Sequence, residues 1–209
     1  KPIMLWFVTS FLLVALASGS QPPFSNPFSR VVSGMEATPY SWPWQVTLMY
    51  EEHGYLYFLC GGTLIKPDWV MTTVHCFPDV QYWVMLGRHN LYLSTDSEQF
   101  FITEKIIKHP KYDDNDASLG YDIALINLWG NAELTVQLAC LPPFCYTTPH
   151  TPCYVTGWGV ISIDGPASDV LLEGLMPVVD HRHCSQPDWW GKDVKHTLCV
   201  GDAGSSACY

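Results

Sequence analysis

The sequence predicts an all-β protein, and two observations carry this prediction. Sixteen prolines and fifteen glycines, together with nine Trp, eleven Tyr and nine Phe, are typical of short strands joined by tight turns. Short apolar runs also recur between Gly, Pro, Asn and Asp residues, as strands at turn spacing do. Because all-β barrels of roughly 200–250 residues commonly form one domain, we expect one domain here.

The predicted strands follow one another from residue 44 onward. Examples are the runs 44–50, 55–60, 82–86, 100–107, 123–128, 153–157 and 175–179. One helix-like patch at 180–184 is too short to change the fold class. The sequence contains no internal repeat and no low-complexity tract.

The N-terminal segment is typical of a secretory signal peptide. Residues 4–16 are almost continuously apolar, Lys1 precedes them, and an Ala-Leu-Ala site ends at Ala17. A membrane anchor is the alternative, but the run is shorter than the roughly 20 residues that a span needs. We therefore expect residues 1–17 to be removed and the protein to be secreted. Residues 18–30 are rich in Ser, Pro and Asn, which is a linker composition, and they end in the basic cleavage point Arg30.

Charge and cysteine content narrow the classes of partner. The formal net charge of −10 would repel phosphate backbones, so nucleic acid is excluded as a partner. No later stretch is apolar and long enough to span a membrane. In an oxidising compartment the eight cysteines are disulfide candidates before they are metal ligands, and the sequence alone leaves their connectivity open.

Two residues are candidates for catalysis. His75 lies in the run WVMTTVHC, and Asp122 begins the strand-like run DIALI. A serine hydrolase uses a His to take the hydroxyl proton and a buried carboxylate to orient that His. Alternatively, His75 is an ordinary surface histidine and Asp122 is a turn residue before a buried strand. Ser205 and Ser206 lie in a stretch rich in Gly, Ser and Ala, and we interpret them as turn residues rather than as nucleophiles.

Several motifs in order resemble the trypsin/chymotrypsin-like serine peptidases, from Arg30 to the last residue. They are SWPWQ at 41–45, CGGTLI at 60–65, T-x-x-HC at 72–76, DIAL at 122–125 and PCYVTGWG at 152–159. Three further motifs are similar to the pancreatic chymotrypsin-like elastases and chymotrypsin C. They are LGRHNLY at 86–92, PVVDH at 177–181 and DWWG at 188–191.

The resemblance implies a fold of two six-stranded antiparallel barrels and a role for each matching residue. His75 corresponds to the general base and Asp122 to the carboxylate that orients it. Residues 18–30 correspond to an activation peptide, and the bond between Arg30 and Val31 to the activation site of the zymogen. Residues 31–209 then correspond to the peptidase domain. Two cysteine pairs, Cys60–Cys76 and Cys184–Cys199, correspond to disulfides of the family.

The nucleophile is the main departure from the family pattern. No Gly-Asp-Ser-Gly stretch occurs in the sequence. On the register that we prefer, Tyr209 lies immediately before that motif, because Cys199 and Cys208 then fall on two family cysteines. A rival register places Ala203 at the nucleophile position. We therefore expect a second barrel that is truncated at its C-terminus and a chain that is inactive as given. The pairing of Cys140, Cys145, Cys153 and Cys208 stays open.

The resemblance also implies the partners. Expected partners are protein or peptide substrates, an activating trypsin-like protease and other digestive zymogens. No cofactor is expected. Some relatives bind calcium in the segment that matches residues 88–98, and the positive charge of Arg88 at the start of that segment argues against a metal site here. The complete product is therefore expected to be a serine endopeptidase. The alternative is a non-catalytic protease homologue that acts as a protein-binding module.

Overall fold

The computed structural model describes most of the chain from residue 34 onward. The described ranges are 34–77, 81–116, 119–133, 135–141, 148–159, 166–187, 198–202 and 205–207. The predicted signal and activation peptides, including Arg30, lie outside these ranges, and so do Val31, Cys145, Ala203 and Cys208.

The described elements are almost entirely strands, so the all-β prediction is confirmed. The strands are β1 (Met35–Glu36), β2 (Gln45–Glu52), β3 (Tyr55–Lys66), β4 (Trp69–Thr72), β5 (Tyr82–Leu86), β6 (Gln99–Lys108), β7 (Ala124–Leu128), β8 (Pro152–Gly157), β9 (Leu172–Pro177), β10 (Val200–Asp202) and β11 (Ser205–Ala207). A 3-10 turn spans Val74–Cys76, and the short helix α1 spans His181–Cys184. Among the described residues, no helix has the length and hydrophobicity that crossing a membrane requires.

Six antiparallel strands close a barrel in the order β2-β3-β4-β7-β6-β5. Its core holds inward-facing residues such as Val46, Leu64, Val84 and Ile126, all fully buried. Burial alternates along β7, as expected for a strand with one face toward a core. Glycine is required at Gly62, because an added Cβ would lie 2.8 Å from Val70 Cγ1 and 3.3 Å from the Met71 carbonyl oxygen.

Strands β8 and β9 from the second half of the described chain form a three-stranded sheet with the N-terminal strand β1, in the order β1-β9-β8, and β10 and β11 form a hairpin. A small core of buried residues lies against this sheet, and it includes Cys153, Met176, Val178 and Val200. An isolated bridge between Val178 and Val200 connects the segment after β9 to the hairpin. A second six-stranded barrel and its truncation remain predictions.

Polar contacts join the second sheet to the barrel. The indole N–H of the buried Trp158 donates to the carbonyl of His89 at 2.9 Å. The Thr156 hydroxyl donates to Gln45 Oε1 at 2.7 Å, and the Trp42 indole donates to Glu173 Oε2 at 2.6 Å. These three contacts connect the segments around β2 and β5 with those around β8 and β9.

One sequence-based interpretation is wrong in this region. Ser205 and Ser206 were expected in a turn, but the structure places them in β11, where they pair with Asp202 and Gly201. The small, polar composition suggested a loop, but antiparallel pairing with β10 supplies the backbone hydrogen bonds that stabilise a strand.

Candidate active site

His75 lies on the 3-10 turn that follows β4 and precedes β5 in the sequence. Its neighbours Val74 and Cys76 are buried, whereas the side chain of His75 is 33% exposed. Cys76 forms a disulfide with Cys60 of β3, with Cα atoms 6.1 Å apart. The turn is therefore fixed to the barrel on both sides of His75, and its imidazole faces the surface.

Asp122 lies directly before β7 and meets His75 across 47 residues of sequence. Strand β7 pairs with β4, and Ala124 is the partner of Thr72 in that register. The residues that end β4 and precede β7 are consequently brought side by side. Asp122 Oδ2 lies 2.5 Å from His75 Nδ1.

The second carboxylate oxygen of Asp122 caps the 3-10 turn. The backbone N–H of Val74 donates to Oδ1 at 2.6 Å, and that of His75 donates to the same atom at 3.1 Å. One carboxylate thus accepts from two backbone groups and one imidazole. Such a set of donors fixes the orientation of the carboxylate as well as that of the ring.

The same contacts determine the charge of Asp122. Burial raises the pKa of its carboxyl group, but the hydrogen bond and positive charge of His75 and the two backbone N–H groups outweigh burial, and the pKa falls below its ordinary value. Asp122 is therefore ionised at neutral pH and can only accept hydrogen bonds. The neutral His75 ring then carries its proton on Nδ1, so Nε2 is the nitrogen that can act as a base.

Residues of the types that bind metals also lie close together here, but two of them form a disulfide. Ligand atoms of Cys60, His75 and Cys76 all lie within 4.8 Å of one another. A thiolate is the form of cysteine that binds metal, and both cysteines are oxidised in the disulfide. This cluster fixes the histidine turn and does not supply two thiolates.

The loop that begins at Arg88 is organised around that residue. Its guanidinium donates to Glu98 Oε1 and Oε2 at 3.2 and 2.7 Å, and also to the Leu91 carbonyl and the Ser94 hydroxyl. The side chains of Arg88 and Glu98 are only 7% and 1% exposed. The cationic side chain of Arg88 therefore occupies the interior of the loop. It pairs there with the buried carboxylate of Glu98.

The remaining site residues from the sequence fall in two groups. Cys184 at the end of α1 and Cys199 before β10 form a disulfide, with Cα atoms 6.5 Å apart. Arg30 and Val31 lie outside the described residues. Two features had not been predicted from the sequence: the two backbone donors to Asp122, and the ring contacts of Tyr121, which directly precedes Asp122.

Comparisons with known proteins find a matching family model, similar sequences and a similar fold. The family model described as Trypsin matches residues 31–209. The chain is 48% identical to human "Chymotrypsin-like elastase family member 3A" over 99% of this chain and 79% of that protein. It is 42% identical to bovine "Chymotrypsin-C" over 96% of this chain and 76% of that protein. A solved structure described as "Structure of GrC" superposes with a TM-score of 0.72 at 30% identity, covering 81% of this chain and 75% of the other.

Proposed function

Because this chain belongs to the trypsin family of serine peptidases, we propose that it is the secreted zymogen of a serine endopeptidase of the elastase and chymotrypsin C type. The observation that carries the proposal is the contact of 2.5 Å between His75 Nδ1 and Asp122 Oδ2. It combines a base that is open to the surface with a carboxylate that is ionised and held by two further donors.

In the proposed reaction His75 first accepts a proton from the serine hydroxyl and then donates it to the leaving group. Nε2 takes the hydroxyl proton as the serine oxygen attacks the peptide carbonyl, and the imidazolium then gives that proton to the departing amine. Water attacks the resulting acyl-enzyme with the same help from His75 and releases the carboxylic acid. Asp122 stays ionised throughout and stabilises the imidazolium.

The nucleophile is the group that the 209 residues do not supply. The Gly-Asp-Ser-Gly sequence expected around it does not occur among them. We propose that a polypeptide of these 209 residues has no amidase activity, although His75 and Asp122 are in contact. In the Ser-His-Asp template, loss of one member removes nearly all catalysis and leaves only what the oxyanion hole and substrate binding provide.

Activation is proposed at the bond between Arg30 and Val31, after removal of residues 1–17, with residues 18–30 as the activation peptide. Support comes from the position of β1. Its pairing with β9 begins at Met35, which faces Glu173, and Glu36 also accepts a hydrogen bond from His89 Nε2 at 2.9 Å. Only residues 31–34 precede this anchored strand within the proposed domain, so cleavage by a trypsin-like protease would free a short segment with a new α-amine.

Sequencing transcripts through the codon for Tyr209 and beyond tests the proposed function. A Gly-Asp-Ser-Gly-Gly-Pro continuation, followed by expression, tryptic activation and peptide hydrolysis, supports a protease. His75→Ala should then lower kcat by about 10⁴-fold or more. A stop codon in abundant transcripts would contradict the protease and favour a protein-binding homologue.

A further inference from the structure

The backbone just before Asp122 has an unusual conformation. Gly120 and Tyr121 have φ angles of +70° and +63°, so two successive residues are left-handed. Glycine adopts this region freely, but the left-handed region is unfavourable for a residue with a side chain such as tyrosine. Contacts of Tyr121 with the rest of the protein must offset that cost.

The ring of Tyr121 lies against the turn that follows β6. The His109 imidazole stacks on it with ring centroids 4.8 Å apart and an angle of 10° between the planes. The ammonium of Lys111 lies 5.3 Å from the ring centroid, which is a cation–π distance. Aromatic pairs and cations over rings each typically stabilise the folded state.

The turn itself is fixed by its backbone, so it offers the ring a rigid surface. The Tyr112 N–H donates to the His109 carbonyl at 3.1 Å, with Pro110 at the position where proline favours a β-turn. The Lys111 N–H donates to His109 Nδ1 at 3.2 Å and thereby holds the imidazole plane. His109 is therefore constrained through both its main chain and its side chain.

The same turn bonds to the residue that follows Asp122. The His109 N–H donates to the Ile123 carbonyl at 3.1 Å, and the Ile123 N–H donates to the Tyr121 carbonyl at 2.8 Å. Asp122 is thus held between two anchored neighbours, one fixed by its ring and one by its backbone. Its carboxylate is directed at the 3-10 turn that carries His75.

We propose that Tyr121 is a positioning residue for Asp122. Stacking on His109 maintains the left-handed backbone, and that backbone aims the carboxylate at His75 Nδ1 and at the two N–H groups of the turn. The inference rests on the proposed function only in treating Asp122 as the carboxylate that orients His75. Tyr121 acts through Asp122.

The test measures the proton on His75 Nδ1 directly and needs no catalytic activity. Its exchange rate with water is followed by ¹⁵N NMR, relative to that of the Ile126 amide in β7. The informative variant is Tyr121→Asn, because asparagine tolerates the left-handed region and so removes the ring without adding backbone strain. Tyr121→Phe retains the ring, and His109→Ala removes the stack from the other side. Tyr92→Asn is the matched control, since Tyr92 is 76% exposed.

We expect the ratio of the two exchange rates to rise about fivefold in Tyr121→Asn and in His109→Ala, as the loss of one ring pair implies. Tyr121→Phe and Tyr92→Asn should leave it unchanged. An unchanged ratio in both ring-removing variants, even if the whole protein is less stable, would overturn the inference. Asp122→Asn separates this outcome from failure of the proposed function. If Asp122→Asn leaves the His75 proton unaffected, the catalytic pair itself is not formed.

Discussion

Asp122 contacts the turn that carries His75 at three points. One carboxylate oxygen binds the imidazole, and the other accepts the backbone N–H groups of Val74 and His75. Because both the side chain and the main chain of the turn bind the same carboxylate, the orientation of His75 is coupled to the local backbone.

Acid should weaken the protein through Asp122. The pKa of Asp122 is lower in the folded state than its ordinary value, so the folded state binds fewer protons than the unfolded state. The contribution to stability is therefore complete above the unfolded pKa of about 3.9, and it is lost as pH falls through the lower folded value. Urea unfolding of the original protein and of Asp122→Asn should differ most at neutral pH and converge toward pH 2. A difference that stays constant over this range would contradict the prediction.

Arg88 should stabilise its loop without a metal. Removing one partner of a buried ion pair typically costs about 3–5 kcal/mol, so Arg88→Ala should lower the free energy of unfolding by that order. The double variant Arg88→Ala, Glu98→Ala should lose less than the sum of the two single losses, because no unpaired charge is left inside. Thermal unfolding should not change when EDTA is added. A Tm that falls with EDTA would show that a metal supports the fold.

Gly62 and Gly157 provide a matched pair for the packing of the barrel. Alanine at Gly62 would collide with Val70 and approach the Met71 carbonyl, whereas a Cβ at Gly157 meets nothing within 4 Å. Overpacking of this kind typically costs about 1–3 kcal/mol. Gly62→Ala should therefore be less stable than Gly157→Ala by that order in urea unfolding. Equal stability of the two variants would mean that β3 and β4 can separate without cost.

Cys153 and Cys140 should differ in reactivity. Cys153 is buried, and burial raises the pKa of its thiol, whereas Cys140 is exposed; neither is in a disulfide between described cysteines. The thiolate is the reactive form, so iodoacetamide should modify Cys140 well before Cys153 in the native protein. In urea the two rates should become similar. Peptide mass spectrometry measures both sites, and faster native modification of Cys153 would contradict its burial in the small second core.

Strands that are flanked by turn residues could be predicted from the local sequence. Features that depend on contacts with residues distant in the sequence could not. Strand β5 has the predicted bounds because turn residues flank it, but β4 was missed, since its four residues follow β3 after only a short turn. The sequence motifs indicated His75 and Asp122 as candidate catalytic residues. Their contact, and the capping of the turn by Asp122, depend on the register between Thr72 and Ala124.

The contacts of Tyr121 show the same limit more clearly. A tyrosine between glycine and aspartate carries no local sign of a left-handed backbone. The ring contacts that offset its cost come from the turn after β6, which β6–β7 pairing brings close. Pairing likewise placed Ser205 in a strand although its neighbours suggested a turn. Longer-range packing therefore decided the conformations that local composition did not indicate.

We propose that His75 and Asp122 form a catalytic pair for which these 209 residues supply no nucleophile. An amidase assay of residues 18–209 tests it most directly, after cleavage at Arg30 by trypsin and removal of the trypsin on an inhibitor resin. With peptide substrates that present Phe or Leu at the cleaved bond, we expect the rate to equal that of a His75→Ala control treated in the same way. Turnover well above that control would show that the polypeptide supplies its own nucleophile, and it would contradict the account.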